Sequence, residues 1–557
     1  MKKKENENRD FLKENGVEFE ESIKETQPAK NSAAIGEDEI RRAIQILSDY
    51  KSAKQNFDAR VIENEEWWKM RHWNNIRNEK QDTEPTSAWL FNSIMNKLAD
   101  YCDNFPEPNI RARNADDVGE AQRIKNVLPM ICEINDFEAT YMDTCLSKIK
   151  NGTGITGVFW NREKDEIDIQ PIDVLSIIWQ PGVKDIQNSR NVFVLEDVDN
   201  EILKERYPDL KTESSSDIKT SKYNYEDKIS NDSKSTVVDW YYKKNGFVHL
   251  CKFVGTSIIV STENESENYP RGLYDDGNYP FVFDSLFKME GTIAGFGYID
   301  VCKSPQEYID KLDQAIIQNA FMCARPRYFI RNDASINTEE FLNWKNPLVK
   351  TNGNLGEDDL RQIVVKQLDA GVYNAREGKI IELKQTSGNS DVSTGSTNNG
   401  VIAASAISQL IETGSKGSRL AIKGTYRAYR KIIYMIIERM RQFYTEPRYI
   451  RITGEDGSQF FETYDNSRLV AQESRNLSGE IYLRMPQFDI EVSAQKSSQY
   501  SKLSNNELSL QFYSNGFIDP ANAPQTLACL NMMDFEHKQE VIAQVQNNAA
   551  AAPIGTL

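Results

Sequence analysis

The chain has 557 residues, 84 acidic and 67 basic, giving a formal net charge of −17. That length allows roughly two to four domains with ample core, and the acidic excess repels phosphate, which excludes tight DNA binding by the surface as a whole. Mean hydropathy is −0.61 and no helical apolar run approaches the roughly 20 residues that cross a bilayer, so the sequence reads as a soluble, cytosolic protein with no membrane partner; MKKKENENRD is basic but has no apolar run behind it to make a secretory signal.

Residues 1 to about 36 are charged and polar and read as disordered or loosely helical. From there to Arg77, Ile40, Ala43, Ile44, Ile46 and Leu47 recur at helical spacing and lead into EEWWKMRHW. Its Trp67, Trp68 and Trp73 read as core or interface anchors, because a base-stacking platform normally sits in a basic groove. A second helix is predicted over 89–101, stopped by Pro106 and Pro108, and a third near Glu120 that Pro129 should kink or end. A fourth, 137–150, runs into NGTGITG. Gly152, Gly154 and Gly157 there satisfy GxGxxG, but a dinucleotide fingerprint needs a strand before the glycines and a helix after them, and the order is reversed. They read as a helix stop and the entry to a hairpin.

Residues 158–290 are strand-rich, with runs such as VFVLEDV and TVVDWYYKK broken by a polar surface loop over 214–236. Next, Ser304-Pro305-Gln306-Glu307 fits a capping box with proline at the first helical position, Ser304 accepting from the Glu307 amide and Glu307 reaching back. Behind it Tyr308, Ile309, Leu312, Ile316, Ala320 and Cys323 form an apolar stripe, and Glu307, Asp310, Lys311, Gln314 and Gln318 a polar face, up to Pro326. A compact segment, 327–371, reads as strands at RYFI and LVK and a short helix at EDDLRQIVVKQL. Asn374 to Glu377 gives a second box-like helix start, leading into KIIELKQ. That helix ends in TSGNSDVSTGSTNNG, a ribbon of small neutral polar residues, after which a long helix is expected from Ala403 to Tyr444 with a kink near 414–417.

Sites for metal or covalent chemistry are not apparent. The seven cysteines form no CxxC pair, and His72, His249 and His537 are far apart in sequence. Gly378-Lys379 lacks the earlier glycine and the hydroxyl residue of a phosphate loop, and HExxH and GxSxG are absent. No catalytic residue, metal site or cofactor is assigned, and the chain is expected not to be an enzyme.

The order of these pieces, from the helix and NGTGITGVFWN hairpin through IDIQPIDVLSIIWQP, the SPQE helix, the ribbon with SAISQLIETGSKGSR, and FYTEPRYIRITG to FDIEVSAQKSSQYSKLSNNELSLQFYSNGFIDP, resembles the portal proteins of tailed bacteriophages, particularly those of low-GC Gram-positive hosts. The resemblance implies an α+β fold of portal architecture: a mixed α/β wing (40–300 and 401–490), a two-helix stem (301–325 and 372–387), a small α/β clip (326–371), a tunnel loop (388–400) and a helical crown (491–545), between a flexible start (1–39) and tail (546–557). It implies a homo-oligomeric ring, usually a dodecamer, at the capsid portal vertex of the virion, assembled in the host cytoplasm. Double-stranded DNA passes through it, and its partners are the terminase large subunit, a head-tail connector or adaptor, and the major capsid and scaffolding proteins.

On this resemblance Asn389, Ser390, Asp391, Ser393, Thr394, Ser396, Thr397, Asn398 and Asn399 would line the channel, with Lys384 the nearest weak phosphate contact and Ser304 and Glu307 capping the first stem helix. A loop that brushes a moving duplex must not trap it; hydroxyls and amides bond phosphate oxygens transiently, and glycines let the loop change shape. The competing readings are a nucleic-acid-processing enzyme with a DNA-threading domain and a scaffolding protein without a channel.

Overall fold

The computed structural model describes residues 34–76, 83–208, 210, 218, 220–224, 234–325, 327–330, 337–343, 360–388, 416–453, 459–475, 481–494, 499–516, 523–533, 538, 541–542 and 544–545. The chain divides into two compact units, one taking residues up to 62, 97–297 and those from 416 on, the other 63–96 and 298–415. Among the described residues no helix is long and apolar enough to cross a membrane.

In the first unit a five-stranded antiparallel sheet takes its strands in the order Ile177–Trp179, Asn191–Asp199, Lys234–Lys244, Phe247–Val254, Ser257–Ser261. Successive side chains on a strand face opposite ways, and this sheet is buried on both sides. Val192 and Tyr241 enter one core with Val61, Val174 and Tyr279, whereas their neighbours Phe193 and Tyr242 enter another with Ile40, Ala43 and Leu47 of the Glu37–Trp68 helix. That helix starts inside the segment expected to be flexible, with the Gly36 amide donating to Glu39 Oε2 at 3.1 Å.

A three-stranded sheet, Glu166–Pro171, Thr153–Asn161, Phe281–Ser285, follows the Phe137–Asn151 helix. Gly152 ends that helix at φ 81°, and a Cβ there would lie 2.1 Å from the Phe296 backbone. The glycine therefore serves a left-handed cap and a close backbone approach, and the hairpin expected behind it forms with Val158 opposite Ile169. Pro129 neither ends nor replaces its helix, which runs Val118–Ile134. The proline sits on the exposed side while Ile124, Val127, Leu128 and Ile131 are buried, so the carbonyl it leaves without a donor is on the water side. Further along, Pro106–Ala112 pairs with Phe488–Ala494 and Arg448–Thr453 with Gln459–Tyr464. The chain then enters the helices Gln499–Ser514 and Ala523–Met532.

The second unit is built on two helices, Tyr298–Ala324 and Ala370–Ser387. Their contacts run in opposite senses, Asn319 Nδ2 with the Lys366 carbonyl, Asp313 with Arg376, Tyr308 with Lys379, so the helices are antiparallel. Ile309, Ile380 and Leu383 form the contact with Trp89. Between the helices Arg327–Ile330 and Leu360–Ile363 pair as an antiparallel ribbon, Arg327 opposite Ile363, and Asn337 caps a short Thr338–Leu342 helix.

Three expectations are corrected here. The first helix starts at Tyr298, so Ser304 and Glu307 are not its cap. The buried Ile299 and Cys302 draw the preceding turn into the helix, and Glu307 instead receives Lys311 Nζ at 2.6 Å. The second starts at Ala370 rather than Asn374, with Asp369 Oδ1 accepting from the Gly371 amide at 2.8 Å. LRQI is a strand because a partner strand from outside its local sequence claims its backbone. The LVK strand, the 403–415 part of the long helix and the 414–415 part of its kink lie outside the described residues; the helix is seen as Lys416–Phe443.

Candidate functional site

The site singled out in the sequence is the helix pair together with the ribbon it feeds. The Ala370–Ser387 helix ends on Gly388 at φ 70°, which turns the chain out of the helix where the ribbon begins. Nine of the ten candidate channel residues, Asn389 to Asn399, lie outside the described residues, and the tenth, Lys384, is half-buried with its ammonium 5.4 Å from the centre of the Trp89 ring.

The two helices carry five cations, and each is engaged. Lys303 meets Glu63 at 3.2 Å, Lys311 meets Glu307, Lys379 meets Glu382 at 2.7 Å, and Lys384 lies over Trp89. Arg376 forms a fork with Asp313, its second bond at 3.2 Å, and this pairing pushes the guanidinium pKa above its ordinary value. A cation held by a neighbouring carboxylate presents little net field to a passing polyanion. The pair also leaves Tyr308, Phe321, Met322, Tyr373 and Ile381 substantially exposed in the single chain, although Tyr308 belonged to the stripe expected to be core.

Residues missed in the sequence lie on the side of the first helix that reads as polar. Asp310 and Gln306 are 0% and 1% exposed. Asp310 accepts from the Ser87 amide at 3.0 Å, Ser87 Oγ at 2.7 Å, Gln306 Nε2 at 2.9 Å and His72 Nε2 at 2.8 Å. His72 is stacked between Trp67, 4.2 Å away and nearly parallel, and Trp73. Trp68 stacks on Phe91. These tryptophans are therefore ring partners inside the unit. Ser87, Asp310 and His72 share a triad's composition but not its geometry, since the serine hydroxyl donates to the carboxylate and not to the imidazole. The only signal for this cluster in the sequence is the two acceptors Gln306 and Asp310 one turn apart on a helix.

Among the described residues no group of three or more His, Cys, Asp or Glu side chains could hold a metal ion. Two buried ion pairs brace the first unit. Lys148 Nζ, 1% exposed, donates to Asp284 Oδ2 at 2.8 Å, Thr425 Oγ1 at 2.7 Å and the Ala421 carbonyl at 3.2 Å. Arg439, fully buried, meets Asp276 at 3.2 Å and lies 3.3 Å over the Tyr274 ring.

The fold and the helix pair can be set beside known families. The model that matches is that of the phage P22-like portal protein, over residues 92–270 and 278–554, most of the chain. The protein is thus a tailed-phage portal protein, a structural component of the virion acting in DNA packaging. It belongs to the P22-like portal family. No individually curated protein matches it significantly.

Proposed function

We propose that the chain closes into a ring of twelve copies at one capsid vertex and forms the channel through which double-stranded DNA enters and leaves. In this reading the helix pair is the stem, the 326–371 segment is the clip that docks first the terminase large subunit and then the head-tail adaptor, and the ribbon is the tunnel loop. Capsid and scaffolding proteins contact the wing during assembly in the host cytoplasm. The observation that carries it is the antiparallel helix pair, with its engaged cations and exposed apolar side chains, ending on a left-handed glycine where the neutral ribbon begins. Exposed apolar groups of that size support burial against another copy, and engaged cations support a wall that does not grip phosphate. The energy for packaging is then supplied by the terminase, and this chain hydrolyses no nucleotide.

Electron microscopy of the purified full chain tests it. Class averages down the symmetry axis are expected to show a closed ring with an axial hole wide enough for a duplex, and ATPase assays to stay at background. A monomer, or a disc with a filled centre, contradicts the proposal.

A further inference from the structure

Within the first unit, the Glu37–Trp68 helix and the 289–294 turn border an open cleft of about 400 Å³, a size at which small ligands and single side chains are held. Its floor is aromatic: Phe57 and Trp179 meet edge to face with ring centres 5.8 Å apart. Two cations sit beside these rings, and none of the lining residues is acidic. Lys54 Nζ is 5.1 Å from the Trp179 ring centre, with its bonds directed at Asp58 and the Val174 carbonyl. The Arg60 guanidinium lies 5.2 Å over Phe57 and donates to the Gly295 carbonyl at 2.7 Å. Ala53, Asn56 and Gly182 on the rim are exposed, so the cleft opens to solvent. A planar apolar group flanked by carboxylates fits such a surface: the ring stacks on Phe57 and Trp179, and the acids face Arg60 in a fork-like approach.

The chain carries that group itself. Residues 17–23 read VEFEESI, with Phe19 between Glu18 and Glu20, Glu21 following, and no basic residue. The described chain begins just after this segment and is pinned there, the Ile35 amide donating to Asn264 Oδ1 at 2.8 Å and Asn264 Nδ2 to the Ile35 carbonyl at 3.3 Å. From Ile35 to Arg60 the helix advances about 38 Å at about 1.5 Å per residue, whereas the sixteen residues back to Phe19 can span about 53 Å when extended. We propose that this cleft is the seat of the chain's own N-terminal segment, with the Phe19 ring between Phe57 and Trp179 and its flanking glutamates against Arg60.

Seated there, the segment covers the outer face of the first long helix. A photo-crosslinking experiment on the full chain tests this. With Phe19→p-benzoylphenylalanine, irradiation is expected to join residue 19 to the same chain within 50–60 or at Met289, whose thioether-adjacent hydrogens benzophenone abstracts readily. Adding Ala53→Trp, which fills the cleft from an exposed position, is expected to lower that yield by about tenfold, the factor for about 1.4 kcal/mol of lost seating energy. As a readout without the label, Phe19→Ala should speed amide hydrogen exchange across 50–60. Cross-links to other regions, cross-links between chains, a yield unchanged by Ala53→Trp, or exchange unchanged by Phe19→Ala each overturn the proposal.

Discussion

His72 and Asp310 meet at 2.8 Å, although 238 residues separate them, and both are almost fully buried. The imidazole lies flat against Trp67 while the carboxylate accepts four hydrogen bonds, two from Ser87 and one each from Gln306 and His72. Asp310 thus ties the long helix to the 63–96 segment within one unit. Asp310→Ala strands those donors in a dry site, which costs roughly 3–5 kcal/mol. Asp310→Asn keeps the volume and some acceptor capacity and should cost less. Urea unfolding, with hydrogen exchange across 298–324 as a local readout, is expected to rank wild type above Asn above Ala.

This cluster also marks where sequence reading stops. The 137–150 helix, its stop at Gly152 and the hairpin behind it are legible because a helical period, a left-handed glycine and a strand alternation are all local. Gln306 and Asp310 read as solvent-facing because their partners, Ser87, Leu90 and His72, come from more than two hundred residues away. Ser304 has the residues of a cap, yet the apolar contacts of Ile299 and Cys302 start the helix earlier. Leu360–Ile363 has helix-forming neighbours but pairs with Arg327–Ile330, a choice set by the partner strand. The ribbon is legible as composition alone, and nothing in it fixes a conformation.

The Lys148–Asp284 pair makes a second energetic claim. Lys148→Met removes the cation but leaves Asp284 buried with only Thr425 Oγ1 donating to it at 2.8 Å. The single change should destabilise the first unit by roughly 3–5 kcal/mol, whereas adding Asp284→Leu should restore much of the loss, since replacing both charges avoids an uncompensated one. Denaturant midpoints for the two singles and the double give the coupling, and simple additivity would contradict it.

Lys54 gives a pH dependence of definite sign. Burial lowers its pKa, and Asp58 opposes the shift only in part. Between that lowered folded-state value and the ordinary lysine value of about 10.4, the unfolded chain binds more protons than the folded one, so stability contributed by this group rises with pH. Buried tyrosines and thiols with raised pKa act in the opposite direction, and a comparison with Lys54→Met separates the two. Unfolding free energies from neutral pH to about 10.4 should show wild type gaining on the variant as pH increases.

Cys251 is fully buried, and burial pushes its thiol up to about 12. Against an ordinary thiol near 8.5, that leaves roughly three orders of magnitude less thiolate at neutral pH. In the folded chain, alkylation of Cys251 should be slower by at least that factor than in denaturant, whereas Cys323, exposed in the single chain, should label first. Mass mapping of timed iodoacetamide reactions checks the order.

The ribbon supplies the prediction closest to function. If its neutral side chains line a ring's channel, one added cation per chain appears as many times as there are copies, all facing the same duplex. For each phosphate newly neutralised, the logarithm of DNA affinity changes more steeply with the logarithm of salt concentration by about 0.9. Ser393→Arg or Ser396→Arg is therefore expected to leave ring assembly intact, to strengthen salt-sensitive retention of DNA by purified rings, and to slow packaging in infected cells. Ser393→Ala, which adds no charge, should package near the wild-type rate. The physical reason is that a ring moving DNA over many base pairs needs a flat energy profile, and a circle of arginines creates wells at each phosphate that the motor must climb out of. Unchanged packaging and DNA retention in both arginine variants would place the ribbon away from the axis.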